Sequence, residues 1–370
     1  MEFTVSRADI VRELGLSQGV VEKRTTIPIL SNVLIEAETD HITLTATDLE
    51  LGIQSTCPAV VKKPGSGTVP LRRLLDYMRL LPESEIHIKF ADNQWAHITC
   101  GRSRTRMAGM SRDSYPELPQ LCEAAAEIPL AVLASMIEAT IFAISMEESR
   151  FTLNGALLQV RHDSLTMVST DGHRLAVIEQ PLETGVSTPL RVLVPRKAMA
   201  ELLKMAAEAA PDAKIAFAAT ENHLFFQVGQ RLLLSRKLTG NFPDYDRVLP
   251  REQPHYITLS RDELRSTIER VSQFSDERSR AVKLKLSQGE LVVHSSLLET
   301  GESEESISTP YDGPDLEIGF NAQYMLDFLR AVPEQQLTFH FKDSTSAGEM
   351  RPAGQDLSYR YRYVIMPMRI

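Results

Sequence analysis

Apolar and polar residues alternate in paired runs along the whole chain. Residues 33–48, VLIEAETDHITLTATD, hold two period-two runs around a polar turn, a pattern that predicts a β-hairpin. The pattern returns 123 residues later in ALLQVRHDSLTMVSTD at 156–171, placing Leu44 on Met167 and Thr47-Asp48 on Thr170-Asp171. It returns again in VKLKLSQGELVVHSSL at 282–297, where the Thr-Asp ending is lost. A second alternating run also occurs three times, as IHIKF at 86–90, IAFAA at 215–219 and LTFHF at 337–341.

Helical periodicity separates these runs. PLRRLLDYMRLLP from 70, PRKAMAELLKMAAEAAP from 195 and NAQYMLDFLRAVP from 321 each precede the second run. RADIVRELGLSQGVVEK from 7, PLAVLASMIEATIFAI from 129 and SRDELRSTIERVSQF from 260 open each unit. Pro70 and Pro195 suit first helical turns, Pro82, Pro211 and Pro333 suit stops, and Ser6 and Ser260 suit N-caps. The reading is α+β: three tandem similar domains over 1–123, 124–252 and 253–370, each with two helices packed on antiparallel sheets. SYPELP at 114–119 and NFPDYDRVLP at 241–250 close the first two units in a similar way. Tandem domains with a strand edge at each end can associate head to tail, and such a contact closes into a ring if its rotation allows.

Composition narrows the function. With 40 Lys plus Arg against 49 Asp plus Glu, the formal charge is −9, so any nucleic acid must meet a local basic stripe. No apolar run approaches the ~18 residues a membrane helix needs, and MEFTVSRADI does not read as a secretory signal. A cytoplasmic location is expected. Cys57, Cys100 and Cys122 are too scattered for a disulfide framework or a zinc ribbon, and the nine histidines lack metal-ligand spacing, so no metal or cofactor is expected.

Charge is uneven along the chain. Arg102, Arg104 and Arg106 alternate in GRSRTRM, which puts them on one face of a strand, while Glu299, Glu302, Glu304 and Glu305 crowd the corresponding edge of the third domain. Opposite edges of this kind would steer head-to-tail pairing. The helical stretches at 7–24, 70–82 and 195–210 each carry net positive charge and could face a phosphate backbone without reading sequence. Phosphate-binding loops, zinc-protease and nucleophile-elbow motifs are absent from the sequence. STDGHRL at 169–175 gathers Ser169, Thr170, Asp171 and His173, and leaves a hydrolase-type enzyme using Asp171 and His173 as the alternative function.

Several segments together resemble the bacterial DNA polymerase III beta subunit, the sliding-clamp family, over the whole chain. They are TIPIL at 26–30, ATDLEL at 46–51, STDGHRLAV at 169–177, VPRKA at 194–198, FPDYDRVLP at 242–250, GFN at 319–321 and the terminal YVIMPMRI. The resemblance implies a non-catalytic head-to-tail homodimeric ring that encircles double-stranded DNA without sequence preference. It also implies tethering of the replicative polymerase's catalytic subunit, an ATP-dependent clamp loader and other proteins with a clamp-binding motif. For the partner-peptide pocket it implies Leu153, Thr170, Gly172, His173, Arg174 and Leu175 from the second domain. Pro243, Arg247 and Val248 would come from the following segment, and Asn321, Tyr324, Thr345, Met366, Pro367, Met368 and Arg369 from the third domain. It implies DNA contacts by Arg24, Arg72, Arg73, Arg150 and Lys197, and a subunit contact by Arg102, Arg104, Met107, Phe274, Glu299 and Glu302. The chain departs from the family pattern at Glu147, Phe151 and Thr152, at Thr345, and at Thr105 and Gln273, where Met107 and Phe274 would compensate.

Overall fold

The structure is a computed structural model describing residues 1–21, 25–297, 301–354 and 357–369. Among these residues there are six α-helices: α1 Arg7–Ser17, α2 Leu71–Leu80, α3 Leu130–Glu138, α4 Arg196–Ala207, α5 Arg261–Val271 and α6 Ala322–Ala331. Their buried positions follow the helical repeat, as with Leu71, Leu74, Leu75 and Met78 on α2 and Leu264, Thr267, Ile268 and Val271 on α5. Ser260 Oγ accepts from Glu263 N–H, a hydroxyl cap for α5. Ser6 occupies the same place before α1 but makes no side-chain cap, and the Arg7 N–H donates to Ser84 O instead.

All three expected hairpins form, as Asn32–Ala37 with His41–Thr47, Gly155–Val160 with Ser164–Thr170, and Ala281–Ser287 with Glu290–Leu297. The later alternating runs are the strands Glu85–Phe90, Lys214–Ala219 and Gln336–Phe341. The described residues divide into two compact units: Met1–Ala134 with Lys197–Lys237, and Ser135–Arg196 with Leu238–Ile370. The first unit holds a twelve-stranded sheet, in which Leu51–Lys63 pairs with Arg231–Arg236 from much later in the chain. The second holds an eight-stranded sheet, in which Arg174–Pro181 pairs with Arg360–Ile365, and a separate four-stranded sheet.

The Thr-Asp ending explains how two of the repeats turn. Asp48 Oδ1 accepts from Glu50 and Leu51 N–H, and Asp171 Oδ1 accepts from His173 and Arg174 N–H. The preceding threonines act alike: Thr47 Oγ1 donates to Leu51 O and Thr170 Oγ1 to Arg174 O. Such local bonds let Asp and Thr stand in for backbone partners at a tight reversal. The residue after each Asp has positive φ, +78° at Leu49 and +91° at Gly172. Glycine takes this conformation freely, whereas Leu49 adopts it at a cost.

Some local expectations shift. Pro70 and Pro195 sit one residue before their helices. α1 ends at Ser17, short of residue 24, and at Gly19 a side chain would run into the Glu201 carboxylate at 2.2 Å. α3 stops at Glu138, where the Thr140 hydroxyl donates back to Met136 O, and a 3-10 turn follows at Ile141–Ala143. Arg102 lies in the turn before the strand Ser103–Ala108, so only Arg104 and Arg106 share its face.

Candidate partner-binding patch, basic helices and charged edges

The second unit gathers an apolar patch around the Asp171 turn. Leu157, Val168, Leu175, Val177, Leu193, Phe242, Tyr245 and Val364 pack together, with Leu153, Leu238, Leu249 and Ala347 half-buried against them. Strand pairing supplies the frame, since Leu175 faces Val364 across the ladder. The ladder continues past the strand, for Met366 N–H donates to His173 O at 2.9 Å and Met368 N–H to Gly319 O at 2.8 Å. Pro367, having no N–H, fits between them where no donor is needed. Met366 and Val248 each remain 39% exposed, so this part of the surface offers apolar side chains to solvent, the flexible Met366 among them.

The expected pocket residues play unequal parts. Leu153 and Leu175 join the cluster, and Thr170, Gly172 and His173 form the turn. Pro243 and Val248 are exposed on the segment that Phe242 and Tyr245 anchor, Arg247 pairs there with Asp244, and Arg369 is exposed at the chain end. Arg174 does not face solvent. Its guanidinium reaches Asp171 at 3.0 Å, Asp327 at 2.6 Å and Phe142 O at 2.5 Å, and lies 4.3 Å from the centre of the Tyr324 ring. With a side chain only 9% exposed, it fixes the turn and the Tyr324 ring in place. Asn321 is likewise committed, its Oδ1 capping α6 and its Nδ2 donating to Ser279 O. Thr345 is exposed in a turn around Asp343, whose carboxyl is held down at about 2 by hydrogen bonds from Thr345 and Ser346. Ala347, two residues on, is the side chain that meets the cluster. Phe242, Tyr245, Leu238, Leu249 and Ala347 are not among the residues the sequence singles out for the pocket, although FPDYDRVLP, which carries the resemblance, contains Phe242, Tyr245 and Leu249.

Asp171 and His173 form no hydrolase pair. Asp171 Oδ1 is occupied by two backbone N–H groups and Oδ2 by Arg174, while His173 is exposed and contributes its backbone. A general base needs its orienting carboxylate within hydrogen-bond reach, and here that carboxylate shapes the turn. Among the described residues no group of three or more His, Cys, Asp or Glu could hold a metal ion, and no helix is long and apolar enough to cross a membrane.

Of the basic residues, Arg73 on α2 is exposed with no ion-pair partner among the described residues. Arg72 donates to Val21 O at 2.9 Å. Lys197 pairs with Asp48, and Arg150 pairs with Glu147 at 2.8 Å while donating to Asp171 O. These three are partly committed within the chain; Glu147 lies only three residues before Arg150, but Val21 O and Asp48 are far in sequence from Arg72 and Lys197 and no spacing reveals them. Arg24 and Glu299 lie outside the described residues.

Each charged edge is a true sheet edge. Ser103–Ala108 ends the twelve-stranded sheet, with Arg104 and Arg106 exposed and Arg106 lying 5.1 Å from the Trp95 ring centre. Gly301–Ser308 ends the four-stranded sheet, with Glu302 and Glu304 on one face. Met107 points the other way from the two arginines and is buried within its own unit, so it has little surface to give a second subunit. Phe274 stays half-exposed beside Gly301.

Models of the DNA polymerase III beta subunit match nearly all of the chain: its N-terminal domain at residues 1–119, its central domain at 127–244 and its C-terminal domain at 246–369. The chain belongs to the DNA polymerase III beta subunit family. A beta sliding clamp of Pseudomonas putida is 35% identical over 375 residues, covering all of both chains. That of Chlamydia muridarum is 33% identical over 371 residues, covering all of this chain and 99% of its own. Among solved structures, the DNA polymerase sliding clamp of Pseudomonas aeruginosa superposes with a TM-score of 0.92 at 34% identity, all of both chains being covered. That of Bacillus subtilis gives 0.94 at 28% identity, covering all of this chain and 99% of the other. The function is that of a sliding clamp in DNA replication, a processivity factor, and the hydrolase alternative finds no support.

Proposed function

We propose that two copies of this chain join head to tail into a ring around duplex DNA and hold the replicative polymerase there through the apolar patch beside Met366. A closed ring is linked to DNA by topology, so it stays on without tight contacts. Sequence-independent phosphate contacts of the kind Arg73 offers let it slide with little barrier. The three domains are taken as 1–123, 124–252 and 253–370, and the chain acts without catalysis, cofactor or metal, in the cytoplasm.

The observation that carries this reading is the pair of oppositely charged terminal strands, Ser103–Ala108 with its arginines and Gly301–Ser308 with its glutamates. An unpaired strand edge is a template for another strand, and opposite charges select the heterologous contact over self-pairing. Arg104 and Arg102 on one side, with Phe274, Glu302 and Glu299 on the other, make the subunit contact. The patch takes short apolar peptide segments of the polymerase, of the ATP-dependent clamp loader and of other clamp-binding proteins, with Leu153, Val248, Met366 and Met368 as its apolar surface, Leu175 buried beneath them, and Thr170, His173 and Arg369 at its rim.

Sedimentation tests the ring. Arg104→Glu lowers dimer affinity about tenfold or more, Glu302→Arg does the same, and mixing the two variants restores a heterodimer. Variants that stay fully dimeric on dilution would refute the edge contact.

A further inference from the structure

The first unit contains a groove of about 940 Å³ under the segment 116–121, within the size range of ligand sites. Its framework copies that of the apolar patch, in register. Leu34 pairs with Thr45, Thr45 with Gln54, and Gly52 with Leu234. At the patch, Leu157 pairs with Val168, Val168 with Val177, and Leu175 with Val364. The crossing segments also correspond: Tyr115 is buried against Leu34 as Tyr245 is against Leu157, and Leu118 and Leu249 each pack half-buried on their clusters.

The floors differ in chemistry. Val168 and Val177 are replaced by Thr45 and Gln54, with Gln54 Nε2 3.5 Å from Thr45 Oγ1. Where the patch has Leu175, the groove has Gly52, and Leu118 stands 3.1 Å from where a side chain would begin. The rim is acidic. Arg112 pairs with Glu36 at 3.5 Å and His41 with Asp40 at 2.9 Å, while Glu117 is exposed with no ion-pair partner among the described residues.

We infer that this groove is a second peptide site, taking an extended segment of a partner protein with basic and amide or hydroxyl side chains. Thr45 and Gln54 reward polar groups at the floor, between leucines such as Leu118, Leu121 and Leu232 that take the stems of long side chains, and the unpaired Glu117 attracts a Lys or Arg. A clamp with both sites selects two kinds of peptide through one framework. The inference rests on the apolar patch being a peptide site as well.

The test is fluorescence anisotropy of the full chain with labelled decapeptides of alternating Lys and Gln, Glu and Gln, or Leu and Gln. The Lys/Gln peptide binds best at the groove, and Glu117→Lys weakens it at least about tenfold. Glu221→Lys, the same charge change at an exposed residue that does not line the groove, costs about twofold or less. Thr45→Val with Gln54→Val weakens the Lys/Gln peptide and gains affinity for the Leu/Gln peptide. Equal losses in Glu117→Lys and Glu221→Lys, or no binding of the Lys/Gln peptide, would overturn the groove. A Leu/Gln peptide that fails to bind while the Glu117→Lys loss stands would sink the apolar patch and leave the groove intact.

Discussion

The groove under 116–121 and the patch beside Met366 share one strand register, yet Thr45 and Gln54 line the first where Val168 and Val177 are buried beneath the second. The turns that end their hairpins differ in the same spirit. Asp48 keeps its second carboxylate oxygen for Lys197, a half-exposed partner from α4, while Asp171 gives its own to the buried Arg174. The repeats share a backbone geometry that strand pairing fixes, while their side chains differ in chemistry. One copy is an apolar cluster with a rigid arginine beside it, the other a trough with a polar floor between leucines.

The two turns can be set against each other most sharply by deletion of their cations. Arg174→Ala leaves Asp171 and Asp327 without their shared partner and should cost about 3–5 kcal/mol in urea unfolding. Arg174→Lys should recover only part of it, because an ammonium cannot reproduce the fork. Lys197→Ala removes a half-exposed ammonium from a carboxylate that keeps its two backbone N–H donors, and should cost less, about 1–2 kcal/mol. Comparable losses in the two variants would erase the distinction.

Removing residues 366–370 takes away Met366 and Met368 and their hydrogen bonds to His173 and Gly319. Affinity for the Leu/Gln peptide should fall about a hundredfold, and affinity for the Lys/Gln peptide should not change. Titration of both peptides against the truncated chain checks this.

Each unit also buries one carboxylate between two arginines, Glu13 with Arg12 and Arg231, and Glu349 with Arg351 and Arg362. Burial alone would raise both carboxyls, but the guanidinium hydrogen bonds outweigh it and hold both below the ordinary Glu value. A folded value below the unfolded one means stability that is complete above the unfolded value and lost as pH falls through the folded one. Unfolding free energy measured from pH 6 downward should therefore drop below about pH 4.5. Glu349→Gln should flatten that drop and cost about 1–3 kcal/mol at neutral pH. The smallest effect belongs to Thr45→Val alone, within about 1 kcal/mol in stability, read by the same unfolding assay.

Much of this architecture was legible in the chain. The hairpins follow from period-two alternation, the helices from their apolar stripes, and the internal repeat from Thr47-Asp48 and Thr170-Asp171. What stayed hidden depends on contacts distant in sequence. No local pattern tells Leu51–Lys63 to pair with Arg231–Arg236, and no spacing shows that Lys197 meets Asp48 or that Arg174 points inward to Asp327. Arg102 read as a strand residue because alternation continues into the turn. Thr345 enters only through the resemblance, and the turn around Asp343 leaves it exposed while Ala347 meets the cluster. Met107 alternates correctly with its arginines, and for that reason faces the core.

The most direct measurement is retention on DNA of defined topology. After loading with an ATP-dependent clamp loader, the chain should co-elute with nicked circular plasmid in gel filtration and be released when one restriction cut linearises it. Equal retention on the circle and on the linear product would mean that contact, not encirclement, holds the chain on DNA.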